Sequence, residues 1–570
     1  MDLVMAAAGE AVEIVELGTR TRSTVPLTEL PAWVTGREGP GVRWVWADSA
    51  ELYTRLLARG VTVRQAVDLR LVRRILRQAA AASGTAYARG LADASGPSGS
   101  WDEGAGQLDG LGGPGRAGAE AGAGAGEMDV LFEVQRAGVG VDECVEEHLA
   151  QRACLGEVDD GGRLAMLCHA ESIGGLIAQE LNHVGVPFSA AEHERLLVEL
   201  LGERDRYGGR PARLAELCEQ VRAALGAPTL NPDSPPDLVA GLRRAGLDVS
   251  STRQWELKGL DHPVIEPLLA YKKLSRLHTA NGWAWLHAWV RDGRFRPDWV
   301  AGGVVTGRWA SRGGGALQLP KQIRGSVRAD PGWRLVVADA AQLEPRVLAA
   351  MSGDEQMAQA AGRGDLYQAL VDQGVVETRQ HAKIAMLGAM YGATTGEAGA
   401  LMPRLQRAYP RAIGLVESAA RAGERGERVT TWLGRTSPSP SAWWREAQAA
   451  AQQPGAGAAA ERRARQVARD WGRFTRNFVV QGTAAEWALC WMGFLRRLLD
   501  ETFEPDDGPR PELVYFLHDE VMVHAPEPYA DDVADAVREA GRLAGELLFG
   551  SFPVAFPLDV AVVESYDQAD

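Results

Sequence analysis

Two aspartates stand where an apolar run ends, and that placement suits metal chemistry. His518-Asp519-Glu520 separates two alternating runs, Leu513 to Leu517 and Val521 to Val523, so it reads as the tip of a β-hairpin. Asp339 closes the run Trp333-Arg334-Leu335-Val336-Val337-Ala338 in the same way. Carboxylates at neighbouring strand ends can hold two divalent cations about 3.5–4 Å apart, which activates an attacking oxygen and stabilises a leaving one in phosphoryl transfer. Either aspartate alone is equally a turn former. A third segment offers positive charge. Thr378 to Gly392 reads as a helix stopped by glycine, with Arg379 and Lys383 at i and i+4 on one face. A forked guanidinium beside a compact ammonium suits a triphosphate, although the pair taken alone is only a solvated cationic face.

Elements far apart in the chain must meet to bring these groups together. With 570 residues, 46% hydrophobic and 24% charged, several domains with separate cores are expected. Near the start, Ala11 to Leu17 and Val42 to Trp46 look like strands, and Ser49 through Gln78 has helical periodicity, which predicts a small α/β unit. Residues 103–127 are nearly all Gly, Ala and acid and predict a flexible linker. Helices are expected over Leu164 to Leu181, Glu192 to Leu225, Asp237 to Ala245 and His262 to Val290, with a break at Asn231 to Pro236. Trp283, Trp285, Trp289 and Trp299 recur at spacings that favour core over base stacking. Ala447 to Ala460 reads as an exposed insertion.

The net charge of -14 argues against a polycation that coats nucleic acid, but leaves room for a local basic cleft. The five cysteines form no CxxC pair and no zinc-like spacing with histidine, so reduced thiols are expected. No run approaches the roughly 18 apolar residues of a membrane span, and Asp2 stands where a secretory signal needs a base. A soluble cytoplasmic protein is expected.

Taken together, the motifs resemble those of family A DNA polymerases, the DNA polymerase I family. Arg379-x-x-x-Lys383-x-x-x-Leu387-x-x-x-Tyr391-Gly392 resembles the family's fingers helix. Asp339-Ala340-Ala341-Gln342-Leu343-Glu344-Pro345-Arg346 resembles its first palm motif, and His518-Asp519-Glu520-Val521 its last. Thr306-Gly307-Arg308, Leu317-Gln318-Leu319-Pro320 and Arg473 through Asn477 to Gln481-Gly482-Thr483-Ala484-Ala485-Glu486 follow the family's order. The resemblance implies an α+β right hand: thumb 166–285, palm 286–352 and 473–570, fingers 353–472, preceded by an exonuclease-like domain over 1–165. It implies a DNA-templated DNA polymerase adding dNTPs to a primer 3′-hydroxyl, in replication or repair. Two magnesium ions per site, replaceable by manganese, would be held by Asp339, Asp519 and the carbonyl of Ala340. Lys383 would join the two aspartates in catalysis. Gln342, Glu344, Tyr367, Arg379, Lys383, Leu387 and Tyr391 would line the nucleotide site, with Glu344 excluding a ribose 2′-hydroxyl. Arg308, Gln318, Arg473, Asn477, Gln481 and His518 would touch primer-template DNA, with minor-groove acceptors as the natural partners of such donors. Glu520 is a secondary position. A nucleoid-associated monomer is expected.

Departures narrow that picture. Leu387 replaces an aromatic, so sugar discrimination at the 3′ position does not carry over. Tyr367 stands in place of a histidine, and a phenol cannot become cationic near neutral pH. No Asp-x-Glu precedes Asp48, and Asp68, Asp102 and Glu103 lack suitable spacing, so the exonuclease-like domain is expected to be degenerate and without proofreading. No 5′-nuclease domain is expected. The competing readings are a single-subunit RNA polymerase, against which Glu344 argues, and an inactive DNA-binding scaffold, against which Asp339, Asp519 and Lys383 argue.

Overall fold

The computed structural model describes residues 1–93, 101, 138–159, 162–205, 207–315, 319–362, 364–392, 396–503 and 508–569. The expected linker 103–127 and Gln318 lie outside them. The chain opens with a mixed sheet in the order β3-β2-β1-β4-β5, made of β1 (Asp2–Ala8), β2 (Ala11–Glu16), β3 (Thr21–Pro26), β4 (Arg43–Trp46) and β5 (Ala66–Asp68). β1, β4 and β5 run parallel, and β2 pairs antiparallel with both β1 and β3. The expected helix from Ser49 through Gln78 is corrected to α1 (Ser49–Leu57) and α2 (Leu69–Gln78), because Ala66-Val67-Asp68 pairs with β4. Both helices start at an aspartate: Asp48 accepts from Ala50 N, and Asp68 from Leu71 N. Aspartate is a preferred N-cap because its carboxylate satisfies an N–H that the helix leaves unpaired.

Two further helices, α3 (Val141–Glu157) and α4 (Arg163–Val184), join this sheet to the remainder. Apolar side chains of β1, β5, α2 and α4 share one core with the second sheet described below. Trp283, Trp285 and Trp299 are buried and Trp289 is half-buried, as core residues should be. An arm of helices, Ala212–Ala224, Pro235–Arg244 and Ile265–Asn281, encloses a smaller core of its own that includes Leu214, Val221, Leu242 and Leu268, while Ala190–Leu201 packs Leu197 and Leu201 into the main core.

The second sheet carries the aspartates of interest. Its order is β7-β8-β6-β9, fully antiparallel, with β6 (Trp333–Ala340), β7 (Glu512–Leu517), β8 (Glu520–Pro526) and β9 (Leu558–Val563). Between β6 and β7 lie α5 (Leu343–Ser352), α6 (Leu366–Asp372), α7 (Arg379–Tyr391) and the long α8 (Ala458–Thr502), and α9 (Ala530–Phe549) follows β8. At about 1.5 Å per residue, the 45 residues of α8 extend on the order of 68 Å. Its C-terminal half is buried on nearly every side, and its first turns are exposed and rich in arginine. Ala447 to Ala460 is largely exposed, as expected, apart from the buried Ala447, and is folded as the end of Ala442–Gln452, a turn and the start of α8.

A buried charge cluster locks these parts together. Arg435 Nη2 donates to Glu171 Oε2 at 2.7 Å, and Arg74 Nη2 reaches Glu171 Oε1 at 3.3 Å. Glu486 on α8 accepts from Leu433 N at 3.0 Å and from the Thr431 hydroxyl. Buried acids persist where cations and N–H donors satisfy their oxygens, and these do. All five cysteines are buried free thiols, and no described helix is long and apolar enough to cross a membrane.

Candidate active site

Antiparallel register brings four carboxylates to one end of the second sheet. Asp339, next to last in β6, lies opposite Glu520 of β8 on one side and Asp559 of β9 on the other. Directly opposed residues of an antiparallel pair share a face, and like charges there repel. Asp519 occupies the two-residue turn between β7 and β8, where His518 takes a left-handed φ of 57°. The turn is tied to β6 by Ala340 N, which donates to the Asp519 carbonyl at 2.8 Å. Asp339 keeps an exposed edge, yet partial burial and then the Glu520 and Asp559 carboxylates push its pKa up to about 6. Burial and then Asp339 do the same to Asp519, also to about 6, against the opposing pull of Arg308.

That crowding is relieved by positive charge. Two carboxylates are what a magnesium ion commonly takes from a protein, with water and phosphate oxygens completing its shell. The two carboxylates therefore fit hard divalent cations. Among the described residues no three His, Cys, Asp or Glu side chains converge into a self-sufficient metal cluster. Glu520 has a donor of its own, since its Oε2 accepts from the Tyr566 hydroxyl at 3.0 Å. Burial and Arg308 lower the His518 pKa to about 4, leaving a neutral imidazole beside the aspartates.

Glu344, in the first turn of α5, bridges two other motifs. Its Oε1 accepts from Arg308 Nη2 at 2.5 Å and its Oε2 from the Tyr391 hydroxyl at 2.7 Å. Burial, then Glu344, raises the Tyr391 pKa well above the ordinary phenol value, so the hydroxyl stays a donor. Arg308 follows Gly307, whose φ of +88° is left-handed, and a Cβ there would strike the Arg435 guanidinium. Tyr391 ends α7 just before Gly392, again left-handed at +73°, against which Arg473 packs.

Arg379 and Lys383 sit one turn apart on an exposed face of α7, and Leu387 is half-buried against the helices around it. Arg379 Nε donates to Asp365 at 2.6 Å, with its Cζ 5.6 Å from the ring centre of Tyr367. Gln342 has a left-handed φ of 54° in the turn from β6 to α5, and its side chain bonds to Asp365 and to Leu366 N. On α8, Arg473, Asn477 and Gln481 are spaced four apart on one face. Gln481 reaches the Tyr391 hydroxyl, and Asn477 Oδ1 is buried without a hydrogen-bond partner. Contacts thus link Arg308, Glu344 and Tyr391 in one group and Gln342, Tyr367 and Arg379 around Asp365 in another, while Glu520 bonds to Tyr566 and Gln318 lies outside the described residues.

The family model for DNA polymerase family A matches residues 210–567. The chain belongs to DNA polymerase family A. It is similar to the thermostable DNA polymerase I of Thermus aquaticus, 28% identical over 330 residues that cover 53% of this chain and 36% of that protein. The thermostable enzyme of Thermus filiformis is 26% identical over 407 residues, 65% of this chain and 43% of that protein. The chain thus spans less than half the length of these curated relatives. Among solved structures, the POL domain of Pol1 from M. smegmatis, in complex with DNA primer-template and dNTP, matches with a TM-score of 0.67 at 19% identity, covering 100% of this chain and 95% of that one. The fold is that multidomain right hand.

Three residues of this family A site escaped the sequence reading. Asp559 faces Asp339 only through the register of β6 with β9, which an isolated acid does not announce. Arg346 is buried and donates to the carbonyls of Ala341, Ala361, Ala555 and Gly364, holding the chain around the site; its place in the first palm motif was the available signal. Asp365 is the third, and its helix-capping position just before Leu366 was the signal available for it.

Proposed function

We propose that the chain is a DNA-templated DNA polymerase that extends a primer 3′-hydroxyl with dNTPs and does not shorten it. The observation that carries this reading is that Asp519 lies beside Asp339, Arg308 and Glu344, and that α7 is tied to the same strand end twice, by Tyr391 to Glu344 and by Arg379 through Asp365 to Gln342. Asp339, Asp519 and the Ala340 carbonyl hold divalent cations, magnesium or manganese. Bound there, the cations supply activation of the attacking oxygen and charge neutralisation at the leaving pyrophosphate. Arg379 and Lys383 bind the triphosphate, and Lys383 faces the charge that develops on it. Glu344, held on both oxygens, stands where a ribose 2′-hydroxyl would lie and favours deoxyribose. Tyr367 and Gln342 border the same nucleotide.

Arg308, Arg473, Asn477, Gln481 and His518 follow the primer-template, with Asn477 Oδ1 lacking a partner until DNA arrives. Gln318 is assigned to the same surface on its motif. Residues 166–285 serve as thumb, 286–352 with 473–570 as palm, and 353–472 as fingers. Residues 1–165 form the exonuclease-like domain. Its β1, Asp-Leu-Val-Met-Ala-Ala-Ala, offers one carboxylate, Asp2, and that is engaged by His148 and Arg152 at 3.1 Å each. The enzyme acts as a monomer in replication or repair.

The test is extension of a gapped and a mismatched primer-template with magnesium, comparing dNTPs with rNTPs and following both growth and shortening. Growth with dNTPs and no shortening is expected. Preference for rNTPs, or loss of primer nucleotides, would refute the reading.

A further inference from the structure

Asp365 holds none of the roles above, yet it contacts elements that carry them, and its two oxygens divide the work. Oδ1 accepts from the backbone N–H groups of Tyr367 at 2.9 Å and Gln368 at 3.2 Å, capping α6, and from Gln342 Nε2 at 2.8 Å. Oδ2 accepts from Arg379 Nε at 2.6 Å. Gln342 closes the link from the other side, since its Oε1 accepts from Leu366 N at 3.0 Å.

The support under Asp365 is rigid. Arg346 Nη2 donates to the Gly364 carbonyl at 2.5 Å and Nη1 to those of Ala361 at 2.8 Å and Ala555 at 2.9 Å, while Nε reaches Ala341 at 2.8 Å. The strand end that carries Asp339 is thereby coupled, through Gln342 and Asp365, to the first residue of α7. Partial burial alone would raise the Asp365 pKa, but the Arg379 and Gln342 donors hold it below the usual carboxylate range.

The geometry points to Asp365 as a positioning residue for the incoming nucleotide: by taking the Nε donor of Arg379 it turns the terminal Nη1/Nη2 fork toward the triphosphate. This rests on the proposed triphosphate role of Arg379. An arginine side chain has many rotamers, and one oriented beforehand loses less freedom when the nucleotide binds. The Tyr367 ring beside the guanidinium limits it on a second side. Asp365 acts on nucleotide affinity through Arg379, and it does not touch the reacting atoms.

Asp365→Asn separates the two oxygens. Asparagine caps a helix as well as aspartate, so the Oδ1 bonds can persist, while its amide sets an N–H against the Arg379 Nε–H. Because both partners are partly exposed, a rise of about five-fold in the dNTP KM is expected, with the effect on KM rather than kcat. In an Arg379→Ala background the same substitution should add nothing, since additivity fails for residues that act through one contact. An unchanged or lowered KM for Asp365→Asn overturns the proposal, lowered because the acid would then be a competitor of the triphosphate. An equal rise in both backgrounds overturns it too, by showing that Asp365 acts through the fold. An unchanged KM for Arg379→Ala alone would remove the triphosphate role of Arg379 itself, and so distinguishes failure of that reading from failure of Asp365.

Discussion

The two main sheets of this protein treat their acids in opposite ways. In the first sheet Asp2 is met by His148 and Arg152, Asp48 pairs with Arg70 at 3.1 Å, and Asp68 accepts from Ser49 N and Oγ at 2.8 Å each and from Leu71 N at 3.0 Å. In the second, Asp339 lies opposite Glu520 and Asp559 in the ladder with Asp519 beside it, and Arg308 is a counter-charge to Asp519. In the first arrangement each acid has its own donors, although Asp48 and Asp68 also repel one another. The second keeps a repulsion that a cation bound there would relieve. Acids satisfied by the fold serve the fold, and acids left facing one another are available for chemistry.

Substitutions should separate the two sheets. Asp519→Ala or Asp339→Asn should cut primer extension by about a thousandfold or more, because the cations stabilise both ends of the reacting phosphate. Neither should lower resistance to urea, since each removes a repulsive neighbour. Glu344→Ala releases both Arg308 and Tyr391 and removes bulk beside the sugar; steady-state competition should show the preference for dNTPs over rNTPs falling about ten- to a hundredfold. Asp68→Ala should leave extension intact and cost about 1–3 kcal/mol in urea unfolding, because three donors in the first sheet lose their acceptor. If it abolished extension instead, the contrast between the sheets would be lost.

The smallest effect concerns pH. Burial, then the nearby Asp48, holds the Asp68 pKa above the ordinary carboxylate range. A raised folded pKa means the native state binds the proton more tightly than the unfolded chain does. The Asp68 contribution is therefore most favourable below the unfolded value of about 4 and declines as pH rises above it, up to the folded pKa. Asp68→Asn should flatten that part of the stability profile, measured as urea midpoints against pH.

How much of this was legible in the sequence depended on whether a feature was local. The α7 helix was expected over Thr378 to Gly392 and spans Arg379–Tyr391, because its cap and its terminal glycine are both local signals. The strand end at Asp339 followed from an apolar run, and the turn at Asp519 from alternation on either side of it. β5 was hidden inside an expected helix because three residues are too few to show a period. Glu520 had no assignable role until register set it opposite Asp339 and its side chain met Tyr566. Asp559 likewise acquires meaning from pairing, and a period of two does not fix which residues lie opposite.

Manganese binding in the presence of primer-template and a non-hydrolysable dNTP analogue, counted by electron paramagnetic resonance, tests the contrast between the sheets most directly. Two ions per chain are predicted for the native protein and for Asp68→Asn, and none at those sites in the Asp339→Asn, Asp519→Asn double variant. Two ions retained by the double variant, or lost in Asp68→Asn, would contradict the account.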